Sequence, residues 1–351
     1  MTFLKTDRTK QSFEDRLDKK APGTRELYKI AFRNFEKFCN EHYSRSTEEV
    51  FNEFTVVNEQ AVYDTIQDWI DWNVSQQKGA ATIRMWFSCI NNYLRYKGIK
   101  IEAKENIDFP KKKEEELYPL QLEDIHKLFS VASFDKKCLY LCQISSGMRI
   151  AELLQLKRKD VEIKERIIVK IPADYTKSKK GRTTFFSKEA QKMLIPKIKQ
   201  LSENEHLFGK HSRTSLKSKS GNELITLANY MNKIGLNEKY DNGHHKITTH
   251  SFRAYFITKI SRQDPNFAKK LAGQKGYLLQ YDRMTDDEKL KKYLEIENEL
   301  LVFDESKKNA EMEKLRKENS SIESHYTEAL TSVSDRMLKL EKELSDLRSK
   351  T

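Results

Sequence analysis

Between Phe109 and Glu116 the apolar periodicity of this 351-residue chain stops, and no other stretch constrains the fold as much. Phe109-Pro110-Lys111-Lys112-Lys113-Glu114-Glu115-Glu116 sets a proline before two opposed charge blocks, a composition that breaks both helix and strand patterns. It reads as a linker over 109–117. Upstream, three apolar stripes recur at helical spacing: Leu27, Ala31, Phe35 and Phe38; Val62, Ile66, Trp69 and Ile70; Ile83, Phe87, Ile90 and Leu94, the last stopping at Gly98. They predict a small domain of three or four helices over 21–108. Residues 1–20 are polar and charged, and are expected to form a flexible basic arm.

Downstream, Leu122, Ile125, Leu128 and Phe129 mark a helix, and Cys138 to Ile144 mark another. Arg166 to Ile171 is rich in β-branched residues and predicts a strand. Arg182 to Phe186 is its hairpin partner across Lys177-Ser178-Lys179-Lys180-Gly181, and helices return from Lys188. The fold class expected is mainly α, with one small β-sheet in a mostly helical second domain over 118–304.

From Glu305 to Thr351 the character changes again. Ten acidic and ten basic residues balance there, so the net charge of +12 resides upstream. Met312, Leu315, Ile322, Tyr326, Leu330, Val333, Met337, Leu340, Leu344 and Leu347 fall mostly three and four apart, with Asn319 in the seam. That spacing predicts a coiled coil over 305–351. The alternative is a solvated helix folded back on its own domain.

The basic surplus favours a polyanionic partner, because cationic surfaces bind phosphate backbones by releasing counterions. Cys39, Cys89, Cys138 and Cys142 lie inside apolar helical patterns without CxxC spacing, which points to reduced core residues rather than a zinc site. No run of 18 apolar residues occurs and the first twenty residues are charged, so neither a membrane span nor a secretory signal is expected. No phosphate-binding GxxxxGK[ST] loop and no ligand cluster appear, so no cofactor or metal is implied.

Two local motifs carry chemistry. Ser146-Gly147-Met148-Arg149-Ile150-Ala151-Glu152-Leu153 places an arginine after a small-residue break that ends an apolar helix. A hundred residues later, His250-Ser251-Phe252-Arg253 puts a histidine and an arginine on one helical face behind a Thr248-Thr249 cap. Two guanidiniums and an imidazole are suited to grip one phosphodiester, since each fork meets two oxygens and stays charged. His244 and His245 lack a following arginine at helical spacing and sit beside Asn242-Gly243, so they are set aside.

Together these boxes resemble the tyrosine recombinase (phage integrase) family, over roughly residues 22–303. The resemblance implies DNA strand cleavage and rejoining on double-stranded DNA by a tetramer spanning two sites, with no small-molecule substrate. It implies Arg149 and Arg253 as the phosphate clamp, Glu152 as a buttress for Arg149, and His250 as acid, base or donor. Thr176-Lys177-Ser178-Lys179-Lys180-Gly181-Arg182 resembles the family's hairpin lysine turn, which makes Lys177 the general acid, with Lys179 as second choice. Gln280-Tyr281-Asp282-Arg283-Met284-Thr285 resembles the archaeal-type branch and makes Tyr281 the nucleophile, ahead of Tyr277 and Tyr293. Where the family has a second His or Trp, this chain has Gln274, which donates a hydrogen bond but does not titrate. The expected protein is the integrase of a mobile element or provirus, cytoplasmic and nucleoid-associated. Two alternatives are a type IB topoisomerase-like strand passer and a DNA-binding regulator derived from a recombinase.

Overall fold

The computed structural model describes residues 8–112, 115–209, 215–276 and 283–303, together with scattered positions from 305 to 337. The chain divides into two compact units, Met1–Glu116 and Leu117–Thr351.

The first unit is helical: α1 (Lys10–Leu17), α2 (Pro22–Tyr43), α3 (Thr47–Glu53), α4 (Glu59–Ser75), α5 (Ala80–Lys97) and α6 (Ala103–Asn106). The three sequence stripes are the inner faces of α2, α4 and α5, and all but the half-buried Leu27 are buried. Gly98 ends α5 in the left-handed conformation at φ +95°, the usual glycine stop. Aromatic rings fill the core, with Phe35 stacked on Phe51 and edge-on to Trp69. Buried Asn73 is satisfied there: Trp69 Nε1 and Asn73 Nδ2 both donate to Asn34 Oδ1.

Part of the stretch expected as a loose arm is the helix α1. Its Phe13 and Leu17 are buried, and Phe13 packs against Tyr28, Phe32 and Tyr93. Two apolar residues four apart in a charged segment are too few to register as periodicity. Their burial is decided by a cleft that other helices build.

The second unit opens with α7 (Leu122–Val131) and α8 (Phe134–Ser146), then a single turn α9 (Ile150–Leu153). A three-stranded antiparallel sheet follows, in the order β1 (Val161–Ile163), β2 (Ile167–Ile171), β3 (Arg182–Phe186). The expected hairpin is β2 with β3, in register from Ile167 opposite Phe186 to Ile171 opposite Arg182. β1 went unread because three residues give no alternation to detect. Helices α10 (Lys188–Ile198), α11 (Leu216–Lys233), α12 (Thr249–Ser261), α13 (Pro265–Ala272) and α14 (Asp286–Ile296) complete the unit. The mainly α class with one small sheet is what the structure has.

Helix α8 organises this unit. Every residue from Cys138 to Ser146 is buried, as expected of a helix apolar on all sides. The four cysteines are buried and form no disulfide with one another. Beyond α14 the chain is held through Glu189 of α10, which accepts from the amides of Val302 and Phe303, while a ring nitrogen of His126 in α7 meets the Val302 carbonyl at 2.6 Å. Most of the expected coiled coil lies outside the described residues. At described positions the tail is helical, and Met312, Leu315, Ile322, Leu330 and Met337 are exposed.

Candidate active site

The site is built on the end of α8, where the last carbonyls of a helix have no partner inside it. Here four consecutive ones are each met by a side chain. Ser145 O accepts from Tyr293 Oη of α14 at 2.8 Å, and Ser146 O from Thr184 Oγ1 of β3 at 2.9 Å. Gly147 O accepts from Arg253 Nη1 of α12 at 2.5 Å, and Met148 O from Gln143 Nε2 of α8 itself at 3.2 Å. Gly147 is required twice over. Its φ of +63° belongs to the left-handed region, and an added Cβ would sit 2.3 Å from Phe256 Cδ1. The turn therefore delivers Arg149 from a backbone fixed by three other elements.

Arg149 caps α9, and its neighbour one turn on reaches back to it. Glu152 Oε2 accepts the Arg149 amide at 2.9 Å, and Oε1 accepts Arg149 Nη1 at 3.0 Å. The buttress expected of Glu152 is thus the carboxylate half of a capping box, reaching back from the third residue of α9 to the amide of Arg149. Glu152 is buried, while the Arg149 side chain is 38% exposed. Burial pushes the Glu152 carboxyl up, but the Arg182 fork and the Arg149 donors outweigh it and hold it below the usual range.

His250 stands on the first turn of α12, whose N-cap is Thr248, as the sequence indicates. Its side chain is open to solvent on one side. Partial desolvation, then the cations Arg253 and Arg149, lower its pKa, so the imidazole is neutral at pH 7. Arg253 is 2% exposed. Burial first, then Arg149 and Arg182, bring its pKa down to about 10, which leaves it charged at any working pH. Arg149, His250 and Arg253 are therefore gathered within electrostatic reach of one another.

Lys177 lies exposed in the β2–β3 turn and makes no ion pair with a described residue. Thr176 beneath it is buried and ties the turn together, donating to Ala173 O and Lys180 O and accepting from the Lys180 amide. Lys179, the second choice, sits at φ +55° and faces Asp174 at 3.6 Å. Gln274 is exposed just past α13, its amide bonded to Lys269 O. Tyr281 and Tyr277 lie outside the described residues. Tyr293 is fully buried, donates to Ser145 O, and is raised well above the ordinary tyrosine pKa by desolvation, so it is a structural bolt and no nucleophile.

Arg182, legible in the sequence as the last residue of the hairpin turn and the start of a strand, had no role assigned to it there. Its Nη2 meets Glu152 Oε2 at 2.6 Å, its Nη1 meets Oε1 at 3.2 Å, and its Nε donates to Leu271 O at 2.8 Å. The hairpin motif that ends on Arg182 marks its place in the chain but not its partners, which lie thirty residues back and eighty-nine residues on. Among the described residues no group of three His, Cys, Asp or Glu side chains could hold a metal ion, and no helix is long and apolar enough to cross a membrane.

Residues 115–274 match the phage integrase family model. The fold resembles that of XerH site-specific recombinase bound to palindromic difH substrate in a post-cleavage complex, with a TM-score of 0.53, 16% identity, and coverage of 80% of this chain and 82% of that one. It also resembles a lambda integrase dimer bound to a COC' core site, at TM-score 0.54 and 13% identity over 79% and 97% of the two chains. The Tn1549 transposon integrase in complex with transposon right end DNA follows, at TM-score 0.50 and 14% identity over 76% and 98%. At these identities the likeness is one of fold. No curated protein matches the chain. The family match spans the α8–α9 turn, the hairpin and the His250 box, so residues 115–274 form a phage integrase family domain and the chain is an enzyme of the tyrosine recombinase type.

Proposed function

We propose that this chain cuts and rejoins double-stranded DNA at specific sites, as the integrase of a mobile element, through a 3′-phosphotyrosine. One observation carries the reading: Arg149 and Arg253 meet at a single turn beside a neutral His250, each with guanidinium nitrogens not engaged by described residues. Such preorganised cations act on the charge that builds on the non-bridging oxygens in phosphoryl transfer.

In this reading the Tyr281 hydroxyl attacks phosphorus and passes its proton to neutral His250 as the Tyr281 O–P bond forms. The P–O5′ bond breaks, and the leaving 5′ oxygen takes a proton from Lys177. Arg149 and Arg253 hold the two non-bridging oxygens. Gln274 adds a further donor. The ester energy is kept in the phosphotyrosine, and attack by another 5′ hydroxyl reverses the step and frees Tyr281. The Gln280–Thr285 segment supports an archaeal-type relative.

A nicked suicide substrate tests this: wild type should form a covalent protein–DNA adduct and Tyr281→Phe should bind without forming one. Gln274 favours one other reading, a regulator that binds DNA without cutting it. Specific binding with no adduct in the wild-type chain would establish that reading in place of ours. The exposed apolar positions of the tail support pairing between copies of this chain, as a tetramer on two sites requires.

A further inference from the structure

Glu152 is a buried carboxylate with four donors, two on each oxygen. Oε2 receives the Arg149 amide and Arg182 Nη2, and Oε1 receives Arg149 Nη1 and Arg182 Nη1. The two arginines that share it are not equivalent. Arg149 has guanidinium nitrogens not engaged by described residues and a side chain 38% exposed, whereas the Arg182 side chain is 9% exposed. All three guanidinium nitrogens of Arg182 are already bonded, the last to Leu271 O at the end of α13. A fork spent in this way is not available to a phosphate. It can only hold what it touches.

We propose that Arg182 is a positioning residue for the cleavage reaction: it shares Glu152 with Arg149 so that Arg149 keeps its charge and its free nitrogens directed to the phosphate. This rests on the recombinase reading above. Without Arg182, the buried Glu152 would have one cation to satisfy it, and its unmet lone pairs would draw the Arg149 guanidinium inward. With Arg182, two guanidiniums share the carboxylate, and with Arg253 close by the three arginines and one carboxylate leave a surplus of two positive charges for the phosphate and its transition state. The arrangement also gives Gly273 a reason beyond its φ of +66°. An added Cβ would lie 2.8 Å from Arg182 Cδ and 2.9 Å from Nε and Nη1. The chain entering the Gln274 segment is thereby packed on the same guanidinium that orients Arg149.

The test is a double-mutant cycle in the full chain. Arg182→Ala should slow single-turnover adduct formation on a nicked duplex about 10- to 100-fold, the scale of a small misplacement, with duplex affinity unchanged. Arg182→Lys, which keeps the charge and loses the fork, should recover only part of the rate. Combining Arg182→Ala with Glu152→Gln should cost no more than the worse single change, because both break one link. Losses that multiply, or a wild-type rate in Arg182→Ala, would overturn the proposal. Urea unfolding from pH 7 to pH 3 reads the same link without activity. The two substitutions should be coupled at pH 7, with the coupling shrinking as pH falls toward the lowered Glu152 pKa, and additivity at pH 7 would also overturn it. A wild-type chain that forms no adduct sinks the recombinase reading instead, and the unfolding cycle still decides whether Arg182 holds Glu152.

Discussion

Among the described residues, Arg253 reaches the protein backbone at the Gly147 carbonyl, 2.5 Å from its Nη1. The arginine of the His250 box is thereby fixed to the peptide two residues before the arginine of the other box. A spacing that the sequence spreads over a hundred residues becomes a single hydrogen bond. Arg253 is buried, so this bond also satisfies a charged group that would be costly to leave without a partner.

Gly147→Ala should be among the most damaging small changes in the catalytic unit. The new methyl would overlap the Phe256 ring and force a left-handed φ on alanine. A loss of about 1–3 kcal/mol is expected from overpacking, and a comparable one from backbone strain. Urea denaturation measures it, and a stability equal to wild type would show that α12 gives way freely.

Arg149→Ala and Arg253→Ala should each lower the rate of adduct formation by on the order of 10²-fold or more, with far smaller effects on duplex affinity. Equal losses in rate and affinity, from single-turnover cleavage and fluorescence anisotropy, would reduce both to backbone contacts.

Tyr293→Phe separates a bolt from a nucleophile. It removes the donor to Ser145 O and leaves a buried acceptor unmet, a cost of about 1–3 kcal/mol in stability. The variant should still form the adduct, while Tyr281→Phe should form none and keep full stability. An adduct that survives in Tyr281→Phe and vanishes in Tyr277→Phe would move the nucleophile by four residues.

The His250 imidazole should titrate below the ordinary histidine value of about 6.5 in the free protein. Since the folded pKa is the lower one, the stability it contributes is present above the unfolded value and is lost as pH falls through the folded one. Arg149→Ala removes a cation and should shift the midpoint upward. NMR of the ring protons follows both, and a midpoint at or above the ordinary value contradicts the assignment of a neutral imidazole.

Removing 305–351 should leave single-site cleavage intact and impair paired-site recombination. Light scattering on both chains at matched concentration gives the mass of each. Equal masses, with recombination retained, would make the tail dispensable to synapsis.

The two arginine boxes were legible because each is local: a small-residue break before Arg149, and one helical turn from His250 to Arg253. The stripes of α2, α4 and α5 were legible for the same reason, since periodicity is a local property. What the sequence hid is non-local. Arg182 acquires its role from Glu152 thirty residues back and Leu271 eighty-nine residues on, and no spacing rule connects them. Tyr293 looked like a third nucleophile until its burial against Ser145 was known. Phe13 looked like part of an arm until the cleft that takes it was built. Gln274 was legible as a departure from the family pattern, and its position beside Arg182's glycine was not.

The four carbonyls from Ser145 to Met148 have a consequence for how the enzyme is made. Their donors come from positions 143, 184, 253 and 293, so three of the four follow Arg149 in the chain. The last of them is synthesised after Tyr281 has already emerged. A nascent or partly folded chain therefore possesses its tyrosine before it possesses a seated Arg149. On the proposed reading, cleavage then waits for completion of the whole second unit, because Arg149 is seated only when α12, α14 and β3 are in place.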